Sequence, residues 1–364
     1  MKEDLTLEEL AQELVQQSEV KQDYLVDSSR MLMEACGAAP VLRVLDDFGE
    51  DCMEPLEFTA TAHKQLSSYL RIPAGYYDRM LEEAPELLTT NVNRWLRGTS
   101  EVKLLRTLDG SVRALLSNRY WCVDHLDVLR VIVPTLGSMP DATIQSCRLT
   151  DTRMYIKVTS KRLREDVVPG DAVQYGIVIT NSEVGKGAIS IQPYLYRLVC
   201  TNGMVSGEHL GTGSRRIHKG GVKKLFGPLR NYCPPPLEPQ EKFAEQLRST
   251  LEDAMEEARF SEMLEQLRRA VGMPIEAEDL DTLLKEVGTL YGIREAEQAG
   301  VRTHLLADRD MTLYGLANAV TRFAQDVDSY DRAAQLEAAG YALVTMTPRK
   351  WNHINELAAP QAAA

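Results

Sequence analysis

The hydrophobic and polar positions of the chain change period several times, and each change predicts where one element ends and another begins. Near the N-terminus, Leu7, Leu10 and Leu14 recur at helical spacing. Thr6 occupies the N-cap position and Glu9 the third helical position, which together form the sequence pattern of a capping box. The first predicted element is therefore an amphipathic helix that begins after Thr6.

Short strands and then short helices follow as far as residue 100. The predicted strands are Val41–Phe48 and Met53–Thr59, with a turn between them. The predicted helices are His63–Leu70, Ala74–Leu81 and Ala84–Leu96. We therefore expect residues 1–100 to form an N-terminal segment of mixed helical and β structure.

The middle of the chain has strand-like stretches separated by turn residues, which predicts three hairpins. Their strand pairs are Val102–Leu108 with Val112–Ser117, Thr143–Thr150 with Arg153–Thr159, and Val173–Thr180 with Ala188–Leu198. Asp109-Gly110 joins the first pair and predicts a two-residue turn with positive φ. A short helix, His125–Val133, is expected to end at Pro134. Six strands joined by tight turns predict an antiparallel sheet with helices on one face, and thus an α+β fold.

Beyond Cys233-Pro234-Pro235-Pro236 the pattern is helical, and the prolines indicate a stiff break. Apolar residues from Phe243 to Leu267 predict one long amphipathic helix. Further helices are predicted at Asp279–Leu290, Arg294–Val301, Met311–Ala324 and Tyr330–Ala339. The predicted organisation after residue 100 is a β-rich central domain, residues 101–233, that contains a basic loop, and an all-helical C-terminal region, residues 237–364.

Composition narrows the class of protein. Hydrophobic residues make up 44% of the 364 positions and charged residues 26%, both close to the averages for soluble globular proteins. No apolar run approaches the ~20 residues of a membrane-spanning helix, and the acidic N-terminus is unlike a signal peptide. We expect a cytoplasmic protein that does not bind membranes.

Motifs for metals, cofactors and catalysis are lacking in the sequence. The six cysteines and six histidines are scattered and form no CxxC or HExxH pattern, so we expect reduced thiols, no metal site and no cofactor. The glycine-rich stretches at residues 185–187 and 211–213 do not precede a predicted helix, which a phosphate-binding loop requires. Cys200 and His209 leave an uncharacterised hydrolase open as an alternative, although a buried thiol is the simpler explanation of Cys200.

The formal net charge of -12 is unevenly distributed along the chain. Residues 1–90 sum to -12, residues 91–230 to +10 and residues 231–364 to -10. Within the basic middle part, sixteen residues contain six cations and no acid: Arg215, Arg216, Lys219, Lys223, Lys224 and Arg230. A cluster of this kind favours a polyanionic partner such as nucleic acid. The alternative is a solvated loop whose cations pair with the acidic flanks.

Aromatic residues lie beside other cations of the same region. Tyr120 follows Arg119, and Tyr194 and Tyr196 precede Arg197 on a predicted strand. Aromatic and arginine side chains together can stack bases and hold the backbone of single-stranded nucleic acid. Tyrosine is also favoured in any sheet, which is the alternative explanation. We include Arg119, Tyr120 and Arg197 with the six loop cations as candidate nucleic-acid-binding residues.

Several stretches carry a resemblance to a known family. They are His63–Tyr77, Asn91–Leu96, Arg113–Tyr120, Thr180–Glu183 and Arg197–Gly203. Together they resemble the phage/plasmid-like domain of unknown function 932 over roughly residues 20–235. Family members often have a histidine after the Asn-Ser pair, where this chain has Glu183, which weakens the case for metal or proton chemistry there. The resemblance implies a mobile-element setting and a partner in DNA metabolism.

The leading hypothesis is therefore a phage- or plasmid-type accessory protein that binds single-stranded DNA without catalysis and forms homo-oligomers. A distant similarity to single-strand annealing recombinases extends this hypothesis to strand annealing. The alternatives are an interaction or scaffold protein acting through its acidic C-terminal helices, and the uncharacterised hydrolase.

Overall fold

The computed structural model describes residues 4–37, 39–207 and 240–359, and of residues 240–243 the helical backbone alone. The elements before residue 118 are α1 (Leu7–Val20), β1 (Lys21–Asp27), β2 (Met31–Cys36), β3 (Ala39–Val44), β4 (Glu57–Phe58), α2 (Ala60–Tyr69), α3 (Ala74–Glu83), α4 (Pro85–Arg97), β5 (Val102–Leu108) and β6 (Ser111–Ser117). Next come α5 (His125–Gly137), β7 (Ala142–Leu149), β8 (Met154–Val168), β9 (Asp171–Asn181), β10 (Ser190–Arg197) and β11 (Gly203–Val205). The described C-terminal elements are α6 (Gln240–Ala254), α7 (Glu257–Val271), α8 (Leu280–Tyr291), α9 (Glu295–Asp308), α10 (Leu313–Phe323), α11 (Tyr330–Val344) and α12 (Pro348–Leu357).

α1 begins where the capping box predicted. The backbone N–H of Glu9 donates to Thr6 Oγ1 at 3.2 Å, and the backbone N–H of Thr6 donates to Glu9 Oε2 at 2.7 Å. These two bonds satisfy donors that the first helical turn leaves without partners. The helix buries Leu10 and Leu14 and leaves its polar face exposed.

The first sheet has the strand order β1-β5-β6-β4, and β2 and β3 form a separate hairpin. β5 and β6 are joined by Asp109 and Gly110 at φ 47° and 72°, which confirms the predicted turn. The sheet joins strands from both sides of residue 100, since β1 pairs along its whole length with β5. Helices α2, α3 and α4 pack on these strands around a core that includes Leu66 and Leu88.

The second sheet is antiparallel throughout, with the order β11-β10-β9-β8-β7. The α+β prediction is confirmed, but helices cover both faces of this sheet and not one. Ile156, Val158 and Ile177 face α1, α5 and α6, whereas Tyr155 and Val178 face α11. Neighbouring positions along a strand point to opposite faces of the sheet. Apolar residues at both odd and even positions therefore require helices packed on both faces.

The C-terminal helices pack on the second sheet and do not stand apart from it. Leu163 and Leu195 of the sheet share one core with Leu267, Leu316 and Trp351 of the helices. Among the described residues, no helix is both long and apolar enough to cross a bilayer.

The single long helix predicted from Phe243 to Leu267 is wrong. The chain forms α6 and α7 there, with a break at Met255 and Glu256. Leu251 of α6 belongs to the core on one face of the second sheet, and Leu267 of α7 belongs to the C-terminal core. The apolar faces of α6 and α7 pack into different cores, so the chain turns between the two helices.

The predicted end of α5 at Pro134 is also wrong. The helix continues through Pro134 to Gly137 and buries Thr135 and Leu136. A proline inside a helix costs about 3 kcal/mol because it removes a backbone donor. Packing of the last turn against the sheet core offsets that cost.

Candidate functional site

The six loop cations predicted to bind nucleic acid lie outside the described residues. Arg119 is exposed, in the turn after β6. The hydroxyl of Tyr120 donates to the backbone oxygen of Ser182 at 3.0 Å. Arg197 donates through Nε and Nη2 to the two carboxylate oxygens of Asp171, at 2.7 and 2.9 Å. Ser182, the partner of Tyr120, follows the last residue of β9, and Asp171, the partner of Arg197, is its first residue. Tyr120 and Arg197 are therefore bound at opposite ends of a strand roughly 30 Å long.

The structure instead brings together six charged residues where the two sheets meet. They come from β1, β5, β6, the start of α5 and the segment after β9, and they are Lys21, Asp23, Arg106, Arg113, Asp124 and Glu183. The cations and the anions are equal in number. We call this group the junction cluster.

Glu183 is the central carboxylate of the junction cluster and is 1% exposed. Its Oε1 accepts from Lys21 Nζ at 2.7 Å and from the backbone N–H of His125 at 2.6 Å. Its Oε2 lies 2.5 Å from Arg113 Nη1. Burial alone would raise the pKa of Glu183, but the surrounding positive charges, including Arg113 and Lys21, hold it well below its usual range. The side chain is therefore a buried carboxylate at neutral pH.

Arg106 links the two sheets and α5. Its Nε donates to Asp23 Oδ1 at 2.9 Å, and its Nη2 donates to Asp124 Oδ1 at 2.6 Å. Its Nη1 donates to the backbone oxygen of Glu183 at 2.9 Å. The side chain is 1% exposed, so its charge depends on these partners. Arg106 therefore holds the loop that carries Glu183 against the first sheet.

His125, the first residue of α5, is buried beside Glu183 and is neutral at pH 7. Burial lowers the pKa of His125 to about 4, and the charges of Lys21 and Arg113 act in the same direction. Asn181 Nδ2 lies 3.0 Å from both the backbone oxygen of Val123 and His125 Nδ1. The oxygen can only accept, so this amide nitrogen donates one hydrogen to each partner. His125 Nδ1 is then an acceptor, and the ring proton is on Nε2.

A cleft of about 690 Å³ opens over the junction cluster. Its floor includes Arg113, His125 and Glu183, and the polar face of α1 forms one wall. Asp109 and Asp151, at the tips of the β5–β6 and β7–β8 hairpins, stand on the rim. The cleft thus has an ion pair and hydrogen-bonding groups at its floor and carboxylates at its rim.

Three buried polar atoms near the floor have no hydrogen-bond partner: Arg113 Nε, Arg113 Nη2 and Asn181 Oδ1. Glu183 Oε2 also lacks a hydrogen bond of good geometry, although it lies within ion-pair distance of Arg113 Nη1. Buried polar groups are nearly always paired in folded proteins. Unpaired atoms gathered at one cleft therefore indicate a place that can bind a polar ligand.

Potential metal ligands and thiols are the remaining residue types considered in the sequence. No group of three or more His, Cys, Asp or Glu side chains there could hold a metal ion. The five cysteines of these ranges are free thiols. Cys200 is half-buried, with Arg197 Nη1 3.6 Å from its sulfur, and His209 lies outside the described residues.

The junction cluster was not predicted as a site. Arg106 and Arg113 lie in strands whose neighbouring residues are almost all apolar, and Asn181-Ser182-Glu183 directly follows a buried strand. A charged residue within a buried strand needs a partner, and that was the available signal. The identity of the partners depends on how the two sheets meet, which the order of residues does not reveal.

The fold and the junction cluster define an α+β protein in which two antiparallel-rich sheets meet at a buried ion network. The model of the domain of unknown function family DUF932 matches residues 114–346, well over half of the chain. The chain therefore belongs to that family. No curated protein and no solved structure matches it.

The family match corrects the predicted extent of the resemblance. It begins at residue 114 and continues to residue 346, so it includes α6 to α11, which the sequence resemblance left outside. Shared packing on the second sheet explains why these helices belong with it. Of the junction cluster, Asp124 and Glu183 lie within the match, and Lys21, Asp23, Arg106 and Arg113 precede it.

Proposed function

We propose that this protein binds single-stranded nucleic acid without catalysis, through the basic segment of residues 211–230. One observation carries the proposal: six cations occur within sixteen residues, with no acid among them, in a chain whose net charge is -12. Cations that contact phosphates release counterions from the nucleic acid, so affinity falls steeply with salt and depends little on sequence. Strand annealing and a phage or plasmid setting belong to the same proposal and rest on the sequence resemblance.

The packing of the second sheet limits which aromatic residues can contact nucleic acid. Tyr194 is 2% exposed and packs beneath α11, so its ring is not available to stack a base. Tyr120 and Arg197 have internal partners, whereas Arg119 is exposed. The proposal therefore assigns contact to the basic segment, with Arg119 as an additional phosphate contact.

Filter binding with labelled single-stranded oligonucleotides at about 50 and 200 mM salt tests the proposal. The test variant carries glutamine at five loop positions: Arg215, Arg216, Lys219, Lys223 and Lys224. The control carries glutamine at five exposed positions elsewhere: Lys64, Arg94, Arg97, Lys285 and Arg349. Both variants change the net charge equally. A difference in their affinity for the oligonucleotide therefore shows that the position of the cations matters, and not only their number.

We expect the loop variant to lose most of its affinity and the control to keep it. The slope of log affinity against log salt should become shallower by roughly 0.7 for each phosphate contact removed. Equal affinity of the wild type and the loop variant would overturn the proposal. Retention of a protein partner without any nucleic acid would support the scaffold alternative.

Homo-oligomerisation is part of the proposal because annealing proteins act as assemblies. Light scattering on the purified full chain, with and without an oligonucleotide, measures it directly. We expect a mass that is a multiple of 40.8 kDa. A monomer under both conditions would remove annealing from the proposal and leave simple binding.

A further inference from the structure

Beneath the cleft, two cations of the junction cluster share a single carboxylate. Glu183 faces two cations, Lys21 and Arg113, each within ion-pair distance. Arg106 is paired with two carboxylates, Asp23 and Asp124, so the junction cluster as a whole is neutral and the surplus at Glu183 is local. An arginine with spare donors in a largely buried position is well suited to a carboxylate.

The donors at the floor point to the same kind of group. Arg113 is 8% exposed, and its Nε and Nη2 have no acceptor. His125 contributes Nε2–H, because its Nδ1 is occupied by Asn181, and no described residue bonds to Nε2. A ligand oxygen with negative charge would meet these donors, and an uncharged or cationic group would leave them unpaired.

The rim selects against a ligand that is anionic throughout. Asp109 and Asp151 are exposed at two different hairpin tips, and neither has an ion-pair partner among the described residues. Glu9 and Glu13 of α1 add two further carboxylates to the lining. A polyanion such as a nucleic-acid backbone would be repelled at this entrance, whereas a cationic group would be attracted.

We propose that this cleft binds a small zwitterion that has a carboxylate at one end and an ammonium or guanidinium group at the other. The carboxylate would bind Arg113 and His125 at the floor, and the cation would lie between Asp109 and Asp151 at the rim. Gln12 and Gln16 of α1 face the space between and supply neutral hydrogen-bonding groups for the body of the ligand. The site is independent of the basic segment and of the proposed nucleic-acid function.

Isothermal titration of the full chain with L-arginine tests the charge pattern. Agmatine has the same guanidinium without the carboxylate, and a nucleoside monophosphate supplies the anion without the cation. We expect L-arginine to bind, and each of the two controls to bind roughly 10- to 100-fold more weakly. No heat of binding with L-arginine up to about 10 mM, or equal affinity for agmatine, would overturn the proposal. Preferential binding of the nucleotide would overturn it as well.

Variants locate the two ends of the ligand. D109N/D151N changes exposed hairpin tips, and asparagine tolerates the positive φ of Asp109, so the fold should be unaffected. D253N/D328N is the matched control, because both aspartates are exposed and neither lines the cleft. We expect about tenfold weaker L-arginine binding in the first variant and no change in the second. Equal binding by both variants would contradict the rim assignment.

The floor needs a variant that keeps the charge of the junction cluster. R113K preserves the positive charge facing Glu183 but removes the planar donors. Its circular dichroism spectrum and melting temperature show whether the protein is folded. A folded R113K that binds L-arginine as tightly as the wild type would contradict the floor assignment. If R113K does not fold, the agmatine comparison on the wild type decides whether the carboxylate is recognised.

Discussion

Lys21 Nζ lies 2.7 Å from Glu183 Oε1, although 162 positions separate the two residues along the chain. Lys21 begins the first strand of the first sheet, and Glu183 follows the third strand of the second sheet. Both side chains are buried, with 7% and 1% exposed. The pair therefore links the two sheets beneath the cleft. Breaking it tests how much the stability of this junction depends on charge.

Replacing Glu183 with glutamine should destabilise the protein by about 3–5 kcal/mol, because Lys21 and Arg113 would then be buried without their carboxylate. Urea unfolding at pH 7 measures the change. The control is Glu83→Gln, which breaks the exposed pair with Arg79 and should have little effect. Adding Lys21→Met to Glu183→Gln should recover part of the loss, and a purely additive double variant would contradict a direct interaction.

The hairpins of the second sheet were predictable because each element carries its own local signal. Val173–Thr180 and Ala188–Leu198 were predicted within two residues of β9 and β10 at each end, since apolar alternation and turn glycines mark them. β1 was missed because it follows α1 directly, with no glycine or proline at the boundary. Its identity as a strand depends on pairing with β5, in which Leu108 lies opposite Lys21 although 87 positions separate the two residues.

The candidate site was less predictable than the fold. Lys21, Arg106 and Glu183 meet only because two sheets pack together, and no local spacing relates them. The basic segment was found from charge alone, since a run of cations needs no tertiary partner to be seen. Sequence patterns thus detect chemistry that is continuous along the chain, and they miss chemistry that is assembled by packing.

The buried His125 should make the protein less stable as the pH falls below neutrality. Its pKa is about 4 in the folded state against an ordinary 6.5, so the unfolded chain binds a proton more readily. The stabilisation is fully present above about pH 6.5 and is lost as the pH falls towards 4. The largest slope from one such group is about 1.4 kcal/mol per pH unit.

Urea unfolding at pH 7, 6 and 5 measures how the free energy of unfolding depends on pH. His125→Gln is the variant that removes the titrating imidazole. Glutamine is neutral and can still accept the hydrogen bond from Asn181. The variant should show a flatter dependence on pH than the wild type. His353→Gln changes an exposed imidazole on α12 and should leave the slope unchanged. Equal slopes for the wild type and His125→Gln would contradict the neutral, buried state.

Gly176 should not tolerate a side chain, because a Cβ there would lie 1.9 Å from the backbone oxygen of Val158 on the neighbouring strand. Gly176→Ala would force β8 and β9 apart, and we expect a loss of several kcal/mol or failure to fold. Gly75→Ala is the matched control, since nothing lies within 4 Å of its Cβ and the residue is helical. It should be neutral or stabilising by up to about 1 kcal/mol. Thermal unfolding of both variants tests this, and similar melting temperatures would contradict the close approach.

Trp351 makes α12 part of the C-terminal core, although the helix lies beyond the family match. The side chain is 1% exposed, and its Nε1 donates to the backbone oxygen of Pro274 at 2.8 Å. Trp351→Ala should therefore cost about 3–5 kcal/mol, mainly through the cavity that it leaves in the core. Asn352→Ala, on the exposed side of the same helix, should change the urea midpoint only slightly. If the urea midpoint of Trp351→Ala were close to that of Asn352→Ala, the C-terminal core would not depend on α12 for its stability.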